Sequence, residues 1–229
     1  MAIIRPNSPT DRIHTDAVGR FNYRSSAEIT IREVLNGWSR KRWPTGRVVH
    51  ELVVAQGMAR ADMSVISPNT IAALEIKGPN DDTKRMIHQL GFFRLSVPEL
   101  WLMVAEPFEE DALLMHYLLP TIGVAVIRGL TKERWREDLG QLKMETIKEP
   151  LPFKPDPKML LTMMWVSELK EECRTHSLSD KGAHRALVDR MDAELTYDQK
   201  LAATCRQLML RDFLYRSDAP QFHADPVPS

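Results

Sequence analysis

Between Arg47 and Lys77 the chain carries three short apolar runs separated by turn-forming residues, and no other stretch limits the fold as strongly. Residues 47–54 are rich in β-branched side chains and alternate in part, and Gln56-Gly57 follows as a turn. Residues 59–66 alternate, with Ala61, Met63 and Val65 expected on one side and Asp62 and Ser64 on the other. After Ser67-Pro68-Asn69 comes 71–77, with Ala72, Leu74 and Ile76 facing one way and Glu75 and Lys77 the other. A period of two marks strands. Connections this short join antiparallel neighbours, so a three-stranded meander is expected.

Helical patterns flank the meander. Ser25 and Glu28 have capping-box spacing, and Ile31, Val34, Leu35 and Trp38 share a helical face, which predicts a helix over 25–38 that ends near Gly37. Past Gly78-Pro79-Asn80 a second helix begins, capped by Asp81 or Asp82, with Met86, Ile87, Leu90 and Phe93 as its buried stripe. A buried strand at 100–105, a helix at 109–119 stopped by Pro120 and a strand at 123–127 follow. The order predicts an α/β fold, a mixed central β-sheet flanked by helices on both faces. Pro150, Pro152, Pro155 and Pro157 read as a stiff linker, and helices are predicted at 158–174, 180–194 and 197–215. The expected organisation is a sheet domain at 1–147, a linker at 148–157, a helical subdomain at 158–216 and a disordered, Pro-rich tail at 217–229.

Composition removes some classes of function. With 43% hydrophobic and 27% charged residues the chain reads as a soluble globular protein rather than a disordered one. No apolar run approaches the roughly 20 residues of a membrane span, and residues 1–10 lack a signal-peptide core, so a cytoplasmic protein without membrane contact is expected. Cys173 and Cys205 are then free thiols in helices. His50, His88 and His116 lack metal-ligand spacing and read as surface or packing residues. The 31 basic and 31 acidic residues cancel, without the basic excess of many nucleic-acid binders. Residues 1–60 nevertheless hold ten basic and five acidic side chains, enough for a local basic surface.

The chemistry is concentrated in the meander. Glu75 and Lys77 lie two apart in a strand, so carboxylate and ammonium project from the same face while Ile76 packs. A lone Glu-x-Lys is common on surface strands. Here, if Leu74 and Ile76 share a side with Met63 and Val65, Asp62 joins Glu75 and Lys77 on one face. Carboxylates on strands about 4.8 Å apart repel unless a cation lies between them. Mg²⁺ or Mn²⁺ meets that need with oxygen ligands, and such a site suits phosphodiester hydrolysis.

These residues carry a resemblance. The stretch Ala59-Arg60-Ala61-Asp62, then Leu74-Glu75-Ile76-Lys77, then Asp81-Asp82-Thr83-Lys84-Arg85 with Gln89, resembles the PD-(D/E)xK nuclease superfamily, in particular a little-described bacterial and phage branch. The likeness is specific over 51–89 and loose across 120–123 and 165–168. It implies a restriction-endonuclease-like core in which Asp62 and Glu75 hold Mg²⁺ or Mn²⁺ and Lys77 positions or activates water. Ala61 stands where the superfamily name has proline, a departure common within it. A further acid from an earlier element is implied: Glu51 ranks first, both as catalytic residue and as metal ligand, Glu28 second and Glu33 last. Gln89 is a catalytic candidate, and Arg85 and Arg60 are candidates for binding nucleic acid. The implied activity is hydrolysis of DNA, with DNA as partner. The alternative is an inactive nuclease-fold module that binds DNA or a host defence or repair protein. A homodimer and a protein partner at the C-terminal helices stay open, and a helix-turn-helix there is the less favoured reading beside packing against the core.

Overall fold

The computed structural model describes residues 26–81, 86–131, 142–213, 217–218 and 221. Six strands form one mixed sheet: β1 (Arg47–Val54), β2 (Ala59–Ser67), β3 (Thr70–Lys77), β4 (Glu99–Ala105), β5 (Ile122–Arg128) and β6 (Lys143–Lys148), side by side in chain order. β1, β2 and β3 run antiparallel, as the short turns require, while β3, β4 and β5 are parallel. The parallel steps are spanned by α2 (Met86–Ser96) and α3 (Glu109–Leu118). β4 is apolar at six successive positions because both of its faces are covered. Gly123 sits beside Trp101 in the register, where a Cβ would come within 2.6 Å of the indole.

Each face of the sheet has its own core. On one face Val49, Leu52, Ala73, Leu102 and Val124 pack against Met86, Leu90 and Phe93 of α2 and against α3. On the other face Val48, Met63, Leu74, Trp101 and Ala125 pack against Ile31 and Leu35 of α1 (Ser26–Arg42). Helix α1 continues past Gly37, where the sequence predicted its end. The Arg42 guanidinium in its last turn lies 4.3 Å from the Trp101 ring centre and donates to Glu99 and Glu149, contacts that extend the helix by a turn. Ile87 is 56% exposed and leaves the predicted stripe of α2 to Met86, Leu90 and Phe93.

The C-terminal part forms four helices: α4 (Pro157–Leu161), α5 (Val166–Thr175), α6 (His184–Glu194) and α7 (Tyr197–Leu210). The single helix expected over 158–174 is two, because Trp165 in extended backbone starts α5 and its N–H is taken by Glu168. These helices share a core of Leu161, Leu169, Cys173, Leu187 and Ala203, with both cysteines free and buried in helices. They are not independent of the sheet. Leu160 and Met163, with Leu201, Cys205 and Leu208 of α7, belong to the core that holds α2. The expected division between 1–147 and 158–216 is therefore not one between separate cores, and Lys148, placed in the linker, ends β6. Nor does order stop at 217. Ser217 bridges Val49, and Asp218 exchanges two bonds with Val48, at 2.8 and 2.9 Å, along the free edge of β1.

Candidate active site

Strand β3 sets the site. Ala73 faces the core shared with α2 while Leu74 faces the core shared with α1, so two-residue periodicity directs Glu75 and Lys77 toward the α2 side. Both are buried, Glu75 at 2% and Lys77 at 9% exposure. Lys77 Nζ donates to Glu75 Oε1 at 2.8 Å and to Gln89 Oε1 at 3.3 Å. Gln89 stands near the start of α2, three residues after Met86, which brings its amide over the end of β3. The other Glu75 oxygen, Oε2, is buried and has no hydrogen-bond partner among the described residues. Burial holds the Glu75 carboxyl above the usual carboxylate range, against the pull of Lys77.

Asp62 arrives from β2. Met63 and Val65 pack on the α1 side with Leu74 and Ile76, the arrangement that puts Asp62 on the face of Glu75, whereas Ala61, expected with Met63 and Val65, packs on the α2 side. Alternation breaks on the Ala61 side of Asp62. The β2–β3 register runs to Met63 opposite Leu74, and beyond it Asp62 Oδ2 accepts the Ile76 N–H at 2.8 Å. The side chain thus replaces a backbone rung and lies beside Glu75. Burial first, and then the Glu75 charge, push the Asp62 carboxyl up to about 7, while the Ile76 N–H and Arg32 act the other way.

The neighbouring strand breaks at the same level. In the β1–β2 register His50 opposes Met63 and Leu52 opposes Ala61, and the pair between them, Glu51 with Asp62, is skipped. Glu51 has φ +58°, a left-handed backbone that costs a non-glycine residue on the order of 1–2 kcal/mol. Its oxygens go to two guanidiniums: Oε1 lies 3.4 Å from Arg32 Nη2 and Oε2 lies 2.7 Å from Arg60 Nε. Its charge also acts on Asp62 and Glu75, adding to burial in raising both carboxyls. Arg60, a nucleic-acid candidate, is half-exposed on the same ion pair.

The remaining candidates separate cleanly. Glu33 is exposed, as its position opposite the apolar stripe implied. The Glu28 side chain, Asp82 and Arg85 lie outside the described residues. Asp81 Oδ2 accepts the Gly78 N–H at 2.7 Å, closing the turn after β3. Sequence reasoning missed Arg32 and misplaced His50. Arg32 is 7% exposed, and its Nη1 donates to His50 Nδ1 and to the Asp62 carbonyl, both at 2.8 Å. Burial and the adjacent Arg32 lower the His50 pKa to about 4. The available signal was the position of Arg32, one residue after Ile31 and three before Leu35, at the border of the helix's apolar stripe.

A family model described as Bacteriophage P4 protein cII matches residues 21–220. The chain belongs to the bacteriophage P4 protein cII family. No curated protein matches it. Among solved structures it is similar to the SPO1766 protein of unknown function from Silicibacter pomeroyi, with 18% identity, 71% of this chain and 92% of that chain covered, and a TM-score of 0.38, a likeness too slight to carry argument.

In this cII-family chain the described residues contain no group of three or more His, Cys, Asp or Glu side chains arranged to hold a metal ion. The protein itself offers two carboxylates, the half-buried Asp62 and the buried Glu75, the latter with an orphaned oxygen. That donor set fits Mg²⁺ or Mn²⁺, which take one or two carboxylates and complete their shell with water and phosphate oxygens. Across the described residues, no helix is long and apolar enough to cross a membrane.

Proposed function

We propose that this chain is a metal-dependent nuclease that hydrolyses DNA phosphodiester bonds, a working member of the PD-(D/E)xK superfamily whose motif its sequence resembles. The observation that carries the reading is a buried carboxylate, Glu75, and a half-buried one, Asp62, beside a buried lysine, with Glu75 Oε2 left without a partner among the described residues. A buried carboxylate oxygen without a donor raises the energy of the folded state, and a cation is what it is suited to receive. When bound there, Mg²⁺ or Mn²⁺ supplies a water of lowered pKa and offsets charge on the phosphate.

The side chains divide the remaining work. Asp62, fixed by the Ile76 N–H, and Glu75, fixed by Lys77, lie close enough for their charges to act on one another. Lys77 donates from Nζ, so it orients a water or meets negative charge that develops on a phosphate oxygen. Gln89 steers Lys77 through its carbonyl oxygen and leaves its amide N–H₂ to point at a phosphate or a water.

The test is cleavage of linear and circular DNA by the full chain with added Mg²⁺ or Mn²⁺, beside Lys77→Ala and Asp62→Asn. Cutting that needs metal and disappears in both folded variants supports the reading, and cutting that survives both substitutions removes the assigned site. A second reading, a nuclease-fold module that binds DNA or a host protein without catalysis, is favoured by the balanced charge of 31 basic and 31 acidic residues. Calorimetry with Mn²⁺ separates the two, because the nuclease binds the ion through Asp62 and Glu75 and the inactive module does not.

A further inference from the structure

We propose that Arg32 is a positioning residue for Asp62: its guanidinium ties α1 to the interrupted step between β1 and β2 and so keeps the Asp62 carboxylate turned onto β3. This rests on the nuclease reading for its consequence in catalysis, and on geometry alone for its structural part.

Four observations converge on the guanidinium. It reaches the Asp62 main-chain carbonyl at 2.8 Å, where the β1–β2 ladder skips Asp62. It reaches the Glu51 carboxylate at 3.4 Å, on the residue whose left-handed backbone makes that skip. It donates to His50 Nδ1 at 2.8 Å, on the residue just before the break. It is itself buried, on the helix that covers the face of the sheet opposite Glu75 and Lys77. An arginine only donates, so the contact also settles the histidine: Nδ1 is the bare nitrogen, and neutral His50 carries its proton on Nε2.

The consequence follows from what a regular ladder would do. If Glu51 relaxed to ordinary extended backbone, β1 would pair through the Asp62 level and the Asp62 backbone would straighten, taking its carbonyl off Arg32. The Oδ2 bond to the Ile76 N–H depends on the backbone direction held at that break. Arg32 occupies both sides of that break at once, from a third element. The planar fork of arginine can satisfy three acceptors in fixed directions, whereas a lysine ammonium offers a compact point charge. Glu51 thereby acquires a role: it is a partner of the clamp.

The proposal is tested on the full chain with Arg32→Met and Arg32→Lys, by three measurements. The first is amide hydrogen exchange at Ile76 without metal, compared with Leu74 on the same strand. Arg32→Met speeds Ile76 exchange by about tenfold while Leu74 keeps its protection, since the loss is a local opening. The second is Mn²⁺ calorimetry, and the third is the split between kcat and KM for DNA. Arg32→Met weakens Mn²⁺ binding and lowers kcat by about 10- to 100-fold with KM within about twofold, and Arg32→Lys recovers part of each loss. Equal speeding of Ile76 and Leu74 shows general loosening and overturns the proposal, as does an unchanged Ile76. Should Arg32→Met fail to fold, Arg32→Lys alone decides by the same Ile76-to-Leu74 ratio. A wild-type chain that neither binds Mn²⁺ nor cuts DNA sinks the nuclease reading, while the exchange result still judges the clamp.

Discussion

Two regions of this molecule bury charge, and they do so in opposite ways. Among the C-terminal helices the buried acids are saturated with donors. Glu172 Oε1 accepts from Arg206 Nε at 2.9 Å and Gln207 at 2.7 Å, and its Oε2 accepts from Arg206 Nη2 at 2.7 Å. Glu168 is held by Arg211 and by the Trp165 N–H. Arg47, fully buried, donates to the carbonyls of Leu208, Met209 and Arg211 at 2.6–3.0 Å, and so closes the end of α7 and joins it to β1. At the end of β3 the accounting does not close: Glu75 keeps an unpartnered buried oxygen, with Asp62 beside it. A complete network holds a fold together, whereas an incomplete one waits for something the polypeptide does not supply.

The sharpest way to break this contrast is at Lys77. Lys77→Ala lowers the DNA cleavage rate by about a thousandfold, the scale for removing a donor aimed at developing charge, while circular dichroism shows the folded state. Near-normal cutting by a folded Lys77→Ala protein would falsify the assignment of this region as the site. Next in size is the opposite experiment. Glu172→Ala leaves a buried network unpaired and costs about 3 kcal/mol in urea unfolding, yet cleavage per folded molecule is unchanged. A Glu172→Ala chain of normal stability would show that saturation does not mark a structural role.

Acid sharpens the comparison further. His50 titrates near 4 when folded and near 6.5 when unfolded, so between those values the unfolded chain holds the extra proton. Stability is fully present above about pH 6.5 and falls by about 2 kcal/mol as pH drops toward 4. His50→Gln flattens that decline, and an acid limb equally steep in wild type and variant counts against the neutral His50–Arg32 contact. The smallest expected effect has the other sign. Asp62 titrates near 7 when folded, above its unfolded value, so the stability it contributes at low pH is lost as pH rises through 7. Asp62→Asn therefore raises stability at pH 8 in chelator by about 1–2 kcal/mol. Added Mn²⁺ then stabilises wild type and leaves the variant unmoved. A variant that melts below wild type at pH 8 in chelator contradicts the strained pair.

Much of the sheet was legible before any coordinates. The antiparallel meander follows from turns at Gln56-Gly57 and Pro68-Asn69 and from alternation, and β1, β2 and β3 lie where those signals placed them. β6 was missed because Lys143–Lys148 is polar and largely exposed at the sheet's edge, with no apolar periodicity to read. The grouping of Glu75, Lys77 and Gln89 was readable because spacing along one strand and the helix after it sets it. Asp62 follows from the shared side of Met63, Val65, Leu74 and Ile76, whereas the departure of Ala61 from that side has no signal in the sequence.

The pattern of apolar residues and turns determined by itself which segments extend, which coil and which side of β3 carries Glu75 and Lys77, because those choices depend on neighbours in the chain. Only the tertiary structure decided that Glu51 belongs to Arg32 and Arg60, that Asp62 takes the Ile76 N–H, and that α4 and α7 complete the core behind the site. Each of those outcomes is a competition among partners far apart in sequence, settled by burial and by which hydrogen-bonding group lies within reach, and no local spacing encodes it.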